Sequence, residues 1–157
     1  SDASEYLSID YSDLLKSIER LNAENKALAK KKSELADLLC HATAERLSEG
    51  KYIENGIYWH EPADTEFGEL TRMGQIFSKA PGSFGFVLIN RDPAAGFFRF
   101  VIGKTAPYAG DVKKVFGEIT AVFNIKGGGS ALVSQGGNIA SERLEEFKKL
   151  VKTGFSA

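Results

Sequence analysis

Residues 126–137 read Lys126-Gly127-Gly128-Gly129-Ser130-Ala131-Leu132-Val133-Ser134-Gln135-Gly136-Gly137. Five glycines fall within twelve residues, with polar groups between them, which is not how a core element is composed. Glycine accepts positive φ and lets a second backbone or a ligand come close. The apolar step Ala131-Leu132-Val133 separates the two clusters, so the stretch reads as tight loop, short buried strand over 131–134, tight loop. As punctuation, the glycines are two turns flanking a strand. As a site, they are a backbone cradle for phosphate, with Lys126 beside it.

Working outward, a helix over 111–124 precedes the stretch and places Val112, Val115, Phe116, Ile119, Val122 and Phe123 inward. A helix over 141–152 follows, capped by Ser141, with Leu144, Phe147, Leu150 and Val151 buried. Further upstream, Phe84–Asn90 is a strand apolar enough to be covered on both faces. Arg91–Gly96 is a turn, and Phe97–Gly103 returns as the second strand of an antiparallel hairpin. A helix over 65–79, capped near Asp64 or Thr65, presents Phe67, Leu70, Met73, Gly74 and Phe77 on one face. Before it, Asn55-Gly56 signals a turn and Ile57–His60 a short strand. The sum is an α/β (α+β) domain with a small mixed sheet and flanking helices, over 51–157.

Residues 1–50 are a separate helical segment. Ser12 is a candidate cap, Asp13 suits the positive end of the helix dipole, and Gly50 can end the helix. Leu14, Leu21, Leu28 and Leu35 recur every seven residues, and Ile18, Asn25, Lys32 and Leu39 fill the alternate positions of the same seam. This heptad pattern demands a partner helix, either a second copy of the chain or a missing segment of a parent protein. Asn25 in the seam fixes register more than it adds stability. Lys30-Lys31-Lys32 is expected mostly on a solvated face, the alternative being a basic stripe that touches an RNA backbone.

The chain has 157 residues, 43% of them hydrophobic, and 11 Phe, enough for a real core. Its formal charge of -1 argues against a protein that coats nucleic acid through bulk positive charge, although a local basic patch fits within a neutral total. One cysteine, Cys40, precludes an internal disulfide and suits a reducing compartment, so a cytoplasmic location is expected. No apolar run is long enough to span a bilayer, and no signal peptide is evident. The opening Ser1-Asp2-Ala3 without an initiator Met is expected of a piece of a longer protein, its first residues a linker or a cloning remnant. Cys40 and His41 point about 100° apart on a helix, and His60 is distant, so no metal-ligand spacing exists and no cofactor is expected.

The run Phe123–Gly137 resembles the signature of the DHHA1 family: a glycine triplet, one polar residue, a short apolar step and a second glycine pair. The flanking helices, the two Phe-rich strands and the upstream heptad helix also fit, so the resemblance covers Leu14 to Val151. It is similar above all to the C-terminal domains of alanyl-tRNA synthetases and of long-form alanyl-tRNA editing proteins. The same domain ends the DHH phosphoesterases, where the residue after the triplet is usually His; here it is Ser130.

The resemblance implies a tRNA-binding, self-associating domain without chemistry of its own. Neither the editing zinc ligands nor an Asp-His-His run is present. The parent implied is an alanyl-tRNA synthetase or an editing hydrolase. The alternatives are the substrate-clamping domain of a DHH phosphoesterase, or a purely structural oligomerisation module. For RNA, the candidate contacts are Lys126 and the backbone of Gly127, Gly128, Gly129, Gly136 and Gly137. Ser130, Ser134 and Gln135 are candidate donors, and Arg91 and Arg99 candidate cations. Tyr108 is the loop aromatic best placed to stack on a base, though ordinary packing explains it equally. Self-association falls to Leu14, Ile18, Leu21, Asn25, Leu28, Leu35 and Leu39, giving a homodimer.

Overall fold

The computed structural model describes the backbone of residues 2–156 and the side chains of residues 10–156. The opening Ser1-Asp2-Ala3, read above as linker or cloning remnant, lies outside the described side chains. The chain divides into two units, Ser1–Leu39 and Cys40–Ala157.

The first unit is helix. α1 (Asp2–Ser48) has neither Gly nor Pro along its length, and Ser12 lies inside it instead of capping it. Nothing around Ser12 interrupts the backbone, so its hydroxyl has no free N–H groups to satisfy. The helix ends as a Schellman turn: Gly50, at φ 83°, donates to Leu47 O at 3.0 Å and Lys51 to Arg46 O at 3.0 Å. The division between units falls at Leu39/Cys40, within the helix, because Cys40, Ala44 and Leu47 are buried in the core of the second unit.

The second unit continues with β1 (Ile57–His60), α2 (Phe67–Ser78), β2 (Gly85–Asp92), β3 (Phe97–Lys104) and α3 (Val112–Phe123). It closes with β4 (Lys126–Gly129), β5 (Val133–Ala140), a 3₁₀ turn over Ser141–Arg143 and α4 (Leu144–Ser156). The five strands form one mixed sheet in the order β1-β2-β3-β5-β4. Only β1 and β2 run parallel; β2–β3, β3–β5 and β5–β4 are antiparallel.

Side chains alternate across this sheet and divide the core in two. Phe86, Leu88, Val101 and Val133 face α2, meeting Leu70 and Phe77. Val87, Ile89, Phe98, Phe100, Ile102 and Ile139 face α3 and α4, meeting Ile119, Phe147 and Val151. The phenylalanines Phe77, Phe84, Phe86, Phe98, Phe100 and Phe147 are fully buried. Each contributes about 1.5–3 kcal/mol of apolar burial. α3 is bounded as its sequence demands: the Asp111 carboxylate accepts from the Lys114 N–H at 3.1 Å, and Asn124 closes the helix at φ 52°.

Several expectations are corrected. The glycine triplet is a strand, not a loop. Of the five glycines only Gly129 has positive φ. Gly127 lacks a Cβ because one would run into the carbonyl of Gln135 on the adjacent strand, and close strand approach keeps the backbone extended. The second strand is accordingly Val133–Ala140, through the second glycine pair, with a bulge at Asn138 of β5, opposite Phe98 and Arg99 of β3. Neither Asp64 nor Thr65 caps α2; its N-cap is Glu66, without a side-chain bond, and the Thr65 hydroxyl donates to Ala63 O at 3.1 Å. β2 extends through Arg91 and Asp92, whose carboxylate then takes the Ala94 and Ala95 N–H groups at 3.1 Å and shortens the turn. Ser141 does not cap α4: the chain enters through the 3₁₀ turn, its N–H donates to Gly96 O at 2.9 Å, and its hydroxyl makes no hydrogen bond.

Candidate nucleic-acid interface

α2 covers only part of its face of the sheet. Phe86, Leu88, Val101 and Val133 lie beneath it, while the far ends of β3 and β5 and the whole of β4 emerge uncovered. The result is a groove of about 510 Å³ lined by Phe67, Arg99, Lys126, Gln135, Asn138 and the backbone of Gly127, Gly128, Gly136 and Gly137. It adjoins a second hollow of about 340 Å³, lined by Thr71, Gln75, Gly129 and Val133, through the shared Gly128 and Gln135.

The strand register explains the convergence. Arg99 pairs with Gly137 across β3–β5, Lys126 with Gly137 across β4–β5, and Gly128 with Gln135. Residues opposite one another share a face, so two cations and one amide rise around a floor that has no side chains. The guanidinium of Arg99 lies 5.4 Å from the centre of the Phe67 ring, a cation–π contact that orients it over the groove. The Thr71 hydroxyl lies 2.8 Å from Gln135 Oε1 and 3.1 Å from Phe67 O, which ties the end of the Gln135 amide to α2.

The glycines differ in what each one does. A Cβ on Gly127 or Gly129 would collide with the neighbouring strand's backbone. One on Gly136 would press on Ile125 and Phe100 at 3.1 Å, and one on Gly137 would strike Arg99. A Cβ on Gly128 would meet nothing within 4 Å, and Gly128 has no positive φ. Neither packing nor backbone conformation requires glycine at 128. What the missing side chain preserves is open space on the groove floor.

β4 is also the edge of the sheet. The Ser130 N–H donates to Val133 O at 2.7 Å. Counting the antiparallel alternation from that bond turns the N–H groups of Gly127 and Gly129 outward. Bare backbone donors therefore lie along a strand edge at the rim of the groove, not in two loops.

Four of the sequence candidates are placed elsewhere. The Ser130 hydroxyl accepts from the Leu132 and Val133 N–H groups at 3.2 Å, holding the β4–β5 turn. Ser134 is buried on the α3 side and donates to Ser130 O at 3.1 Å. Arg91 pairs with Glu61 at 2.8 Å, away from the groove. Tyr108 packs edge-on against Phe155, and Gly85 and Gly110 make room for its ring. The lining residues the sequence did not offer as ligand contacts are Phe67, which it placed only on the apolar face of a helix, and Thr71, Gln75 and Asn138. Phe67 and Thr71 stand four apart on α2, but only the packing of α2 shows what they face. Among the described residues no cluster of His, Cys, Asp or Glu could hold a metal, and no helix is long and apolar enough to cross a membrane.

No family model matches the chain, and neither does any curated protein. Among solved structures, the C-Ala domain of alanyl-tRNA synthetase from Aquifex aeolicus is 25% identical over 64% of this chain and 89% of that one, with a TM-score of 0.49. RecJ in complex with Mg2+ from Thermus thermophilus is 12% identical over 78% of this chain and 18% of that one, with a TM-score of 0.50. The chain has a DHHA1-like fold. In this DHHA1-like chain the glycine signature forms the β4–β5 hairpin, and the open groove lies directly on it.

Proposed function

We propose that the groove over β4 and β5 binds the sugar–phosphate backbone of RNA, and that the chain is a non-catalytic accessory domain. Gly128 carries this reading: an extended residue that could hold a side chain holds none, at the point where a ligand would approach. Arg99 and Lys126 neutralise phosphate, and Gln135 and Asn138 supply neutral hydrogen bonds. Phosphate contacts of this kind supply most of the affinity for nucleic acid and make it salt-dependent.

The RNA we propose is tRNA, alanine-specific, because the Phe123–Gly137 signature is most similar to that of alanyl-tRNA synthetases and editing proteins. The parent is then one of those enzymes. The heptad seam of α1 pairs two copies of the chain.

The test is tRNA binding at several salt concentrations, alongside thermal melts. Gly128→Val should melt within a few degrees of the parent chain and lose binding. Lys126→Ala should weaken binding and lower the salt slope by about one phosphate contact. Unchanged affinity in a folded Gly128→Val, or an unchanged slope in Lys126→Ala, removes the groove from consideration.

A further inference from the structure

We infer that α1 pairs with a second copy of itself in the antiparallel sense; this rests on the self-association proposed above and adds its direction. The seam side chains Leu14, Leu21, Leu28 and Leu35 are 52% to 65% exposed, and Ile18 is 44% exposed. A stripe of this kind along one helix face is covered by another helix.

Polar residues in and beside the seam fix the sense. In a parallel, in-register pair each seam residue meets its own copy, so two Lys32 side chains would share one layer of the seam and bring like charges to the same level. The flanking Glu24 and Lys31 would meet Ala29 and Ala36 of the second copy, leaving both charges unanswered. Such a pair would gain one hydrogen bond between the two Asn25 side chains, a neutral contact, at the cost of like charges one heptad further on.

The antiparallel sense resolves these conflicts. One register sets Leu14 against Leu39 of the second copy, Ile18 against Leu35, Asn25 against Leu28 and Leu21 against Lys32. Every seam position finds a counterpart, and the Lys32 stem lies along Leu21 while its ammonium group reaches water at the flank. In the same register Glu24 flanks Lys31 of the second copy, and two-fold symmetry repeats that contact. Glu24 also stands 3.9 Å from Arg20 of its own helix, so an acidic group lies between two basic ones. The sequence of this helix is thus complementary to its own reverse.

Two experiments on the full chain test the direction. In a Cys40→Ala background, chains carrying Ile18→Cys and Leu35→Cys are oxidised separately and mixed. Antiparallel pairing gives a disulfide dimer only from the mixture. Disulfide dimers formed by Ile18→Cys alone would mean a parallel pair and overturn the inference. Independently, Lys31→Glu should weaken dimerisation by about tenfold, and adding Glu24→Lys to the same chain should restore it. Weakening without restoration would place these two residues apart and overturn the register. A parent chain that sediments as a monomer at every concentration would defeat self-association itself, a result distinct from a dimer with the wrong cross-links.

Discussion

Arg99 occupies the space that a side chain on Gly137 would need: its Cγ lies 2.6 Å, and its Cβ 2.9 Å, from where a Cβ on residue 137 would stand. The second glycine of the pair is therefore a seat for an arginine, not a turn, and it lets the guanidinium reach over Phe67. Gly137→Ala should displace Arg99 and reduce RNA binding as much as Arg99→Ala does, with a stability loss of about 1–3 kcal/mol from overpacking. A double-mutant cycle checks this: the double variant should bind no worse than the weaker single variant. Additive losses would show that Gly137 acts on the ligand independently of Arg99.

Two neighbouring glycines should behave oppositely. Gly127→Ala drives a Cβ into the Gln135 carbonyl and against Gly136 and Phe116. It should destabilise the sheet edge by about 1–3 kcal/mol and lower Tm by several degrees. Gly128→Ala should leave Tm within the scatter of neutral surface changes, about 0.5 kcal/mol. Melts of the two variants side by side decide the matter; equal losses would mean that the open floor at Gly128 has been misread.

Leu21→Ala combined with Leu28→Ala should yield a monomer whose α/β unit still melts cooperatively. Each leucine is more than half exposed in the single chain, so truncation costs the folded monomer little. If the seam is enclosed between two helices, each truncation removes about 2–5 kcal/mol from the pair. Sedimentation across micromolar concentrations, with a melt of the double variant, provides the check.

His60 should give the stability of the molecule a pH dependence. It stacks on Tyr58 at 5.6 Å, and burial lowers its pKa below the ordinary value of 6.5. The unfolded chain then binds the proton more readily, so the contribution of neutral His60 is complete above that value. It is lost as pH falls toward the lower folded-state pKa. His60→Gln should flatten the decline of stability between about pH 7 and pH 5 relative to the parent chain. Parallel declines in chemical denaturation at both pH values would show that the imidazole does not contribute.

The elements legible in the sequence were those written in side-chain periodicity. Ile57–His60, the Phe-rich hairpin and the helix between Asp111 and Asn124 repeat apolar residues at the period of a strand or a helix, and they fold accordingly, except that Val122, expected inward, is exposed. Lys126, Arg99 and Gln135 were candidate contacts for the RNA that the resemblance implies, and the sheet brings them to one groove. The glycine stretch was different. Without side chains it has no periodicity, so a turn and an edge strand look the same along the chain. What separates them is whether another strand lies close enough to forbid a Cβ, and that distance exists only after folding.

The same limit governs the rest of the site. Ser130, Ser134 and Arg91 have the chemistry of ligand contacts, but their partners in space, a turn, a buried face and Glu61, occupy them. Phe67 and Asn138 lie far apart in sequence and meet in one groove. Sequence by itself determined where the helices and the central hairpin lie, because these are local patterns of burial. Tertiary structure alone decided which glycine is open, which polar groups remain unspent and which face α2 leaves bare. Those properties belong to pairs of distant residues, and only the sheet register and the placement of α2 define the pairs.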